Sequence, residues 1–322
     1  MTTSMDSISS TPQVMVTKGS LLNSQCDESL DLVFWVLDGM IAVVIFIGNI
    51  LTCLVFLSKR HLRQNYMNIF LLSLALSDML MALLVAPWFA SYCETKCKYT
   101  LSNYCFWFGM MRDIPFQSVV LNLVAITYDR HLAVFRPLVY GAKMTKRRVC
   151  IILALVWCTP VITALTRMTW TFSDIPSERK TFIDRSFNIF LIFVFVLLPI
   201  TGIFIVNLMI MYTIQKHNRV APRHQASQSR SHSETSESER RERVRKKRGT
   251  MSCVLVVFVF FACWLPRIVY NFFFLAKTPH LATTPFIKVS MFFLLLQSTV
   301  NPIIYSFYRQ EFRQAALGLL RR

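Results

Sequence analysis

The chain has 322 residues, 54% of them hydrophobic and only 16% charged, with a formal net charge of +18. A soluble domain carries about 25% charged residues, so the apolar excess must face something other than a core of its own. Gly is scarce (8) and Phe abundant (27), and long unbroken apolar runs exclude a lipid-facing β-barrel, whose strands alternate apolar and polar residues.

A helix needs about 20 apolar residues to cross the hydrocarbon core, and seven stretches qualify. Residues 1–31 are polar and lack the apolar core of a signal peptide. The first span, Leu32–Leu57, therefore serves as its own insertion signal; Asp38 lies near its start. The second, Tyr66–Tyr92, contains one charge, Asp78, at mid-span. Ionisable groups inside a bilayer are costly and mark function. Asp78 is either neutralised or hydrogen bonded to a neighbouring helix, or it is a cation site or polar switch. The third span, Tyr99–Phe135, is interrupted by Arg112-Asp113 and Asp129-Arg130 and is the weakest by hydropathy. Arg112 and Arg130 are separated by five helical turns, so they point the same way, about 27 Å apart along the axis. Charge at both mouths of one helix face suits a device that links the two sides of a membrane.

The fourth span is Val149–Thr166 and the fifth, Ser186–Gln215, is uncharged. The sixth, Gly249–Ala276, contains Arg267, and the seventh is Val289–Tyr308. Pro87, Pro115, Pro160, Pro199, Pro266 and Pro302 interrupt spans two to seven. Each frees a backbone carbonyl and permits a kink. Pro266 follows Trp264 closely, and a kink beside a bulky aromatic is a hinge candidate.

With the amino terminus outside, the segments 59–65, 130–148, 216–248 and 309–322 are cytoplasmic and hold 24 Lys and Arg, against 9 in 1–31, 93–104, 167–185 and 277–288. This is the positive-inside asymmetry of a multi-pass plasma-membrane protein. It accounts for the net charge without nucleic-acid binding. The outer segments carry no Asn-x-Ser/Thr sequon.

Segment 217–248 is rich in Ser, Arg and Glu and is expected to be disordered in its middle. Its Ser and Thr residues over 227–238 either solubilise the loop or accept phosphate. Beyond the seventh span, Phe307, Phe312, Ala316, Leu319 and Leu320 share one helical face, with Arg309, Arg313, Arg321 and Arg322 opposite. Residues 309–322 thus read as a short amphipathic helix on the inner membrane surface, in contact with its lipids. Cys26, Cys93, Cys97 and Cys105 fall outside, in oxidising surroundings, and allow three pairings. Zinc on Cys93 and Cys97 is the lesser reading, and no residue cluster calls for a structural or catalytic transition metal. A membrane enzyme would need a nucleophile, base or metal grouping, which does not emerge. A transporter with Asp78, Asp129 and Arg130 as its proton relay would show paired halves, which do not emerge either.

Taken together, several of these residues resemble the rhodopsin-like (class A) family of G-protein-coupled receptors, over about residues 32–320. Gly48-Asn49 looks like the helix-one motif and Leu74-Ala75-Leu76-Ser77-Asp78 the helix-two motif. Asp129-Arg130-His131 resembles Asp-Arg-Tyr, Trp157 the helix-four tryptophan and Pro199 the helix-five proline. Phe260 with Cys263-Trp264-Leu265-Pro266 looks like the helix-six pattern, and Asn301-Pro302-Ile303-Ile304-Tyr305 the helix-seven Asn-Pro-x-x-Tyr. The resemblance implies an all-α bundle over 32–308, with an extracellular N-terminus over 1–31 and the amphipathic helix and tail over 309–322. It implies a ligand among the outer helix halves, repacking of Pro199, Val120 and Phe260, and coupling through Trp264. Span six then swings outward about Pro266, Arg130 is released, and the opened cavity admits a G-protein α subunit. By the same analogy Asp78, Asn301 and Ser298 hold an allosteric sodium ion, and 227–238 serves receptor kinases and arrestin.

The chain departs from the family at several positions. Segment 167–186 has no Cys, so the family's usual bridge implies pairing of Cys105 with Cys93, Cys97 or Cys26 instead. Lys246 stands where some members carry an acid that restrains the arginine, with Thr250 as a substitute partner, and Asn207 replaces a tyrosine. These changes imply raised basal activity. Leu295 occupies the position of the retinal-binding lysine, so no retinal is expected. Amine receptors carry an Asp where this chain has Arg112; Asp113 is one position on, about 100° around the helix. Arg112 and Arg267 would clasp an anionic small molecule or peptide by bidentate hydrogen bonds, with Trp88, Phe116, Asn271 and Met291 lining the remainder. Otherwise one of those arginines pairs with Asp113 and touches no ligand. An amine held by Asp113, as in an aminergic-type receptor, is the alternative.

Overall fold

A computed structural model describes residues 28–86, 102–225, 251, 254–273, 276, 284–308 and 310–320. The side chains of some helical residues, Arg112, Cys105 and Tyr305 among them, lie outside that description. The described chain is helical, without a strand. The order is α1 (Glu28–Ser58), α2 (Arg60–Arg63), α3 (Tyr66–Leu80), α4 (Ser102–Phe135), α5 (Pro137–Lys143), α6 (Lys146–Thr171), α7 (Ser177–Ile192), α8 (Leu198–Gln225), α9 (Val254–Phe273), α10 (Thr284–Tyr308) and α11 (Gln310–Leu320). Wide π turns at Met81–Val85 and Phe193–Leu197 extend α3 and join α7 to α8. Among the described residues, seven helical spans are long and apolar enough to cross a membrane.

Local chemistry sets several boundaries. Asn65 caps α3 by accepting from the Met67 amide, and Thr145 caps α6 by accepting from Arg148. Pro137 opens α5 at a position whose amide needs no helical partner. On α1, Leu32, Val36, Val43, Ile47, Leu51 and Leu54 are exposed, whereas Ile41, Ile45, Asn49 and Thr52 are buried. That three- and four-residue spacing separates a face for lipid from a face for protein.

The helices pack around α4, which lies against α3, α6 and α8; α1 packs on α3 and α10, and α11 folds back on α1 and α10. Val256, Val257, Phe260 and Trp264 bring α9 into the same core. The third span is a single helix through both of its charged pairs. With the second it is the span most enclosed by protein, so its low hydropathy reflects protein neighbours rather than lipid.

The first span, read as Leu32–Leu57, is found as Leu32–Ser58, within a helix described from Glu28. The structure sharpens three other expectations. Segment 167–185 is mostly helix, because α6 runs to Thr171 and the next helix starts at Ser177. Segment 130–148 contains the helix α5. Phe307 is 78% exposed; the face of α11 that meets the bundle carries Phe312 and Ala315, with the Phe312 ring 5.4 Å from Phe56. The loop 226–250, including Lys246 and Thr250, and residues Cys26, Trp88, Cys93 and Cys97 lie outside the described residues.

Gly48 of α1 faces Pro302 of α10. A Cβ on Gly48 would sit 3.2 Å from the Pro302 ring. Pro302 has no amide to give the Ser298 carbonyl one turn earlier. Asn49 supplies the donor instead, from its Nδ2 at 3.2 Å, while also donating to the Ile45 carbonyl at 2.9 Å.

Candidate functional site

A cavity of about 410 Å³ opens at the Arg167 end of the bundle, the size of a small-ligand pocket. Its charged wall is built by three helices. Asp113 comes from α4, Arg167 from the last turns of α6, and Asp184 and Asn188 from one face of α7. Arg167 lies 3.4 Å from the Asp113 carboxylate and 3.7 Å from that of Asp184, and it donates to Asn188 Oδ1. Asn188 in turn donates to Asp184 at 3.1 Å. Across the cavity α9 contributes Trp264, Arg267, Tyr270 and Asn271. The Arg267 guanidinium carbon sits 4.5 Å from the centre of the Tyr270 ring, a cation–π distance.

Of the expected pocket residues, Asp113, Phe116, Arg267 and Asn271 are brought together here. Met291 packs against the hydrophobic core and does not line the cavity. Asp113 pairs with Arg167, a residue that sequence reasoning missed. The apolar run of span four ends at Thr166, so Arg167 read as the first loop residue. Asp184 and Asn188 were missed likewise. Their four-residue spacing, which stacks them on one helix face, was the available signal.

Below the cavity, the Phe116 ring meets Trp264 edge-on at 6.1 Å, and Trp264 lies 5.2 Å from Phe260. Trp264 Nε1 donates to Gln297 Oε1 at 2.9 Å. Val120, Phe260 and Pro199 are all buried, and Pro266 is half-buried nearly two turns along the helix from Phe260. Gln297 and Asn301 then line a small cavity of about 10 Å³ whose other walls include Leu74, Val119 and Leu123.

Asp78 is fully buried. It accepts from Ser298 Oγ at 2.6 Å and from Asn301 Nδ2 at 2.7 Å. Both carboxylate oxygens of Asp78 thus take a donor from α10. Beside it a polar net ties four helices. Asn122 donates to Ser77 at 2.9 Å, Trp157 to Ser73 at 3.0 Å, and Asn207 to Thr127 at 3.1 Å.

At the opposite end of α4, Asp129 is fully buried and Arg130 nearly so. Arg130 Nε donates to Asp129 Oδ2 at 2.9 Å and its Nη2 engages the same oxygen. Tyr140 of α5 donates to Asp129 Oδ1 at 2.7 Å. Burial first, then the neighbouring Asp129 charge, push the Tyr140 phenol above its ordinary range, so it stays a donor. The chain therefore carries a solvent-facing charged pocket, a buried aromatic and polar track, and a restrained arginine at the far end.

Residues 48–305 match the 7 transmembrane receptor (rhodopsin family) profile. A D(1)-like dopamine receptor of Oreochromis mossambicus is 28% identical, over 90% of this chain and 80% of its own length. A D(1B) dopamine receptor of Xenopus laevis is 28% identical, over 96% of this chain and 75% of its own. A D(5)-like dopamine receptor of Takifugu rubripes is 27% identical, over 85% of this chain, which spans 64% of that relative.

Proposed function

The chain belongs to the rhodopsin family of seven-transmembrane receptors, and from that premise we propose that it binds an extracellular ligand in the Arg167-end cavity and activates a heterotrimeric G protein at the Arg130 end. The carrying observation is the unbroken contact path between the two. Arg267 and Phe116 touch the cavity, Phe116 touches Trp264, Trp264 touches Phe260 and Gln297, and Gln297 adjoins Asn301, which holds Asp78. A packed path of this kind has discrete arrangements, and a ligand that contacts one of them better shifts the population. In this orientation the amino terminus is extracellular at the plasma membrane and the basic loops face the G protein, with 227–238 open to receptor kinases and arrestin. Asp78, Ser298 and Asn301 hold a sodium ion that favours the silent arrangement. The chain acts by conformational coupling rather than bond chemistry.

The ligand reading favoured is an anionic group on Arg267, three residues from Trp264 on the same helix. The relatives are named as dopamine receptors, which supports a second reading, an amine on Asp113. Against it, Arg167 already occupies that carboxylate. A G-protein dissociation assay on cells expressing the chain, challenged with a ligand library, tests the function. Ligand-stimulated or basal nucleotide exchange above mock cells is the expected result; transport current or flux without exchange would overturn it in favour of a carrier. Arg267→Glu and Arg112→Glu are expected to abolish responses to an anionic agonist, and normal responses in both would end the anionic reading.

A further inference from the structure

A second cavity, of about 510 Å³, lies between α4 and α6 and shares no lining residue with the ligand cavity. Its floor is apolar and closed, with Ala125 and Val156 buried, while Val124, Ile151 and Leu155 stand exposed along it. Exposed apolar side chains on membrane-spanning helices face lipid, so this is a groove on the lipid flank of the bundle. Arg148, in the first turn of α6, lines it at one end, and Thr159 lies eleven residues further along the same helix. Eleven helical residues span about 16 Å, close to half of the roughly 30 Å hydrocarbon core. The groove therefore runs from headgroup level on the Arg130 side to about the middle of the bilayer. Arg148 Nη1 donates to the Lys143 carbonyl at 3.0 Å, which steadies the guanidinium at the mouth of the groove and leaves further N–H donors on it. No carboxylate pairs with Arg148 among the described residues. Residues 131–150 hold Arg136, Lys143, Lys146, Arg147 and Arg148 but no Asp or Glu.

We infer that this groove is a binding site for an anionic phospholipid, with the phosphate on Arg148 and one acyl chain laid along the floor toward Thr159. The floor alone would accept any acyl chain, so the selection comes from charge. A phosphate presents two oxygens to a guanidinium in bidentate geometry, and no acid nearby in the chain competes for it. A phospholipid with a cationic headgroup carries the same phosphate but brings its positive charge against Lys146 and Arg147. A sterol brings one hydroxyl and no charge. The orientation proposed above makes this the cytoplasmic leaflet, where anionic lipids set a negative surface potential. The inference rests on that reading only for the name of the leaflet.

The test reconstitutes the full chain in nanodiscs that hold phosphatidylserine and phosphatidylcholine with the same acyl chains in equal amounts. The receptor is then released into mild detergent, and the lipids retained on it are counted by native mass spectrometry. Phosphatidylserine is expected to be retained about fivefold over phosphatidylcholine. Arg148→Gln should bring the two lipids level, and Leu155→Trp, which fills the groove, should lower the retention of both. Arg148 and Leu155 are exposed, so neither change disturbs the core, and an unfolding temperature equal to the parent's confirms it. Ile151→Trp, on the same rim, takes the place of Leu155→Trp if that variant unfolds. Equal retention in the parent overturns the inference, as does a phosphatidylserine preference that survives Arg148→Gln. Phosphatidylserine retention unchanged by the groove-filling variant overturns it too, because the basic surface alone then holds the headgroup. Cholesterol added in equal amount and retained in place of phosphatidylserine would give the groove to a sterol instead. The count needs neither agonist nor G protein, so its failure is distinct from a failure of the receptor reading.

Discussion

Arg167 shows how much one side chain decides at this site. Its guanidinium lies against Asp113 and Asp184, with side-chain exposures of 14% and 21% for Arg167 and Asp113. Arg167→Ala removes one partner of a partly desolvated carboxylate, and a destabilisation of about 1–2 kcal/mol is expected, below that of a fully buried pair because some water still reaches Asp113. A lower thermal unfolding temperature of the detergent-purified chain, partly restored by adding Asp113→Asn, is the check; an unchanged temperature would show the pair to be energetically idle. Gly48 poses a steric question instead. Even one Cβ would meet the Pro302 ring at 3.2 Å, and Gly48→Val adds two methyl groups beyond it. A loss of about 1–3 kcal/mol is expected from overpacking, measured in the same unfolding experiment. The value of Gly48 was legible in the sequence only as part of a motif. Its physical reason, a proline ring on another helix, was not.

At the scale of elements, α10 depends on α1 for the carbonyl that Pro302 leaves open. Asn49→Ala removes the donor to Ser298 and should cost about 1–3 kcal/mol. Asn49→Ala combined with Pro302→Ala should recover part of it, since the helix can then bond its own carbonyl; no recovery would refute the compensation. Asp129 joins α4 to α5 through Tyr140 and holds Arg130 beside it. Tyr140→Phe removes one of these restraints and should raise nucleotide exchange without agonist. Lys246, in place of an acid, and Asn207, which is spent on Thr127, are expected to make basal exchange high already. G-protein turnover in unliganded membranes no higher than in mock cells would count against that reading. These elements were only partly visible beforehand. The lengths of α6 and α7 were underestimated, because apolarity stops at Thr166 while the helix continues through Arg167 to Thr171. Hydropathy measures contact with lipid, and a helix that rises past the lipid keeps its hydrogen bonds but loses that signal.

At the scale of the whole molecule, the pocket, the Asp78 centre and the Arg130 end form one column along α4. If sodium binds at Asp78, replacing it by N-methyl-D-glucamine at constant ionic strength should raise basal exchange, and Asp78→Asn should abolish the difference; equal exchange in both salts would rule the ion out as a regulator. Seven membrane crossings, the family and the polar residues of the column were determined by the sequence alone. Each depends on local quantities: run length, charge between runs, and motif residues at fixed positions along one helix. Which charges meet was decided by tertiary structure. Asp113 pairs with Arg167, fifty-four residues away in the sequence. Ser298 and Asn301 close on Asp78 from the far end of the chain. An ion pair or hydrogen bond is fixed by ångström-scale distance between helices. That distance follows from how the bundle packs, through contacts such as the Gly48–Pro302 approach, which no stretch of sequence expresses by itself.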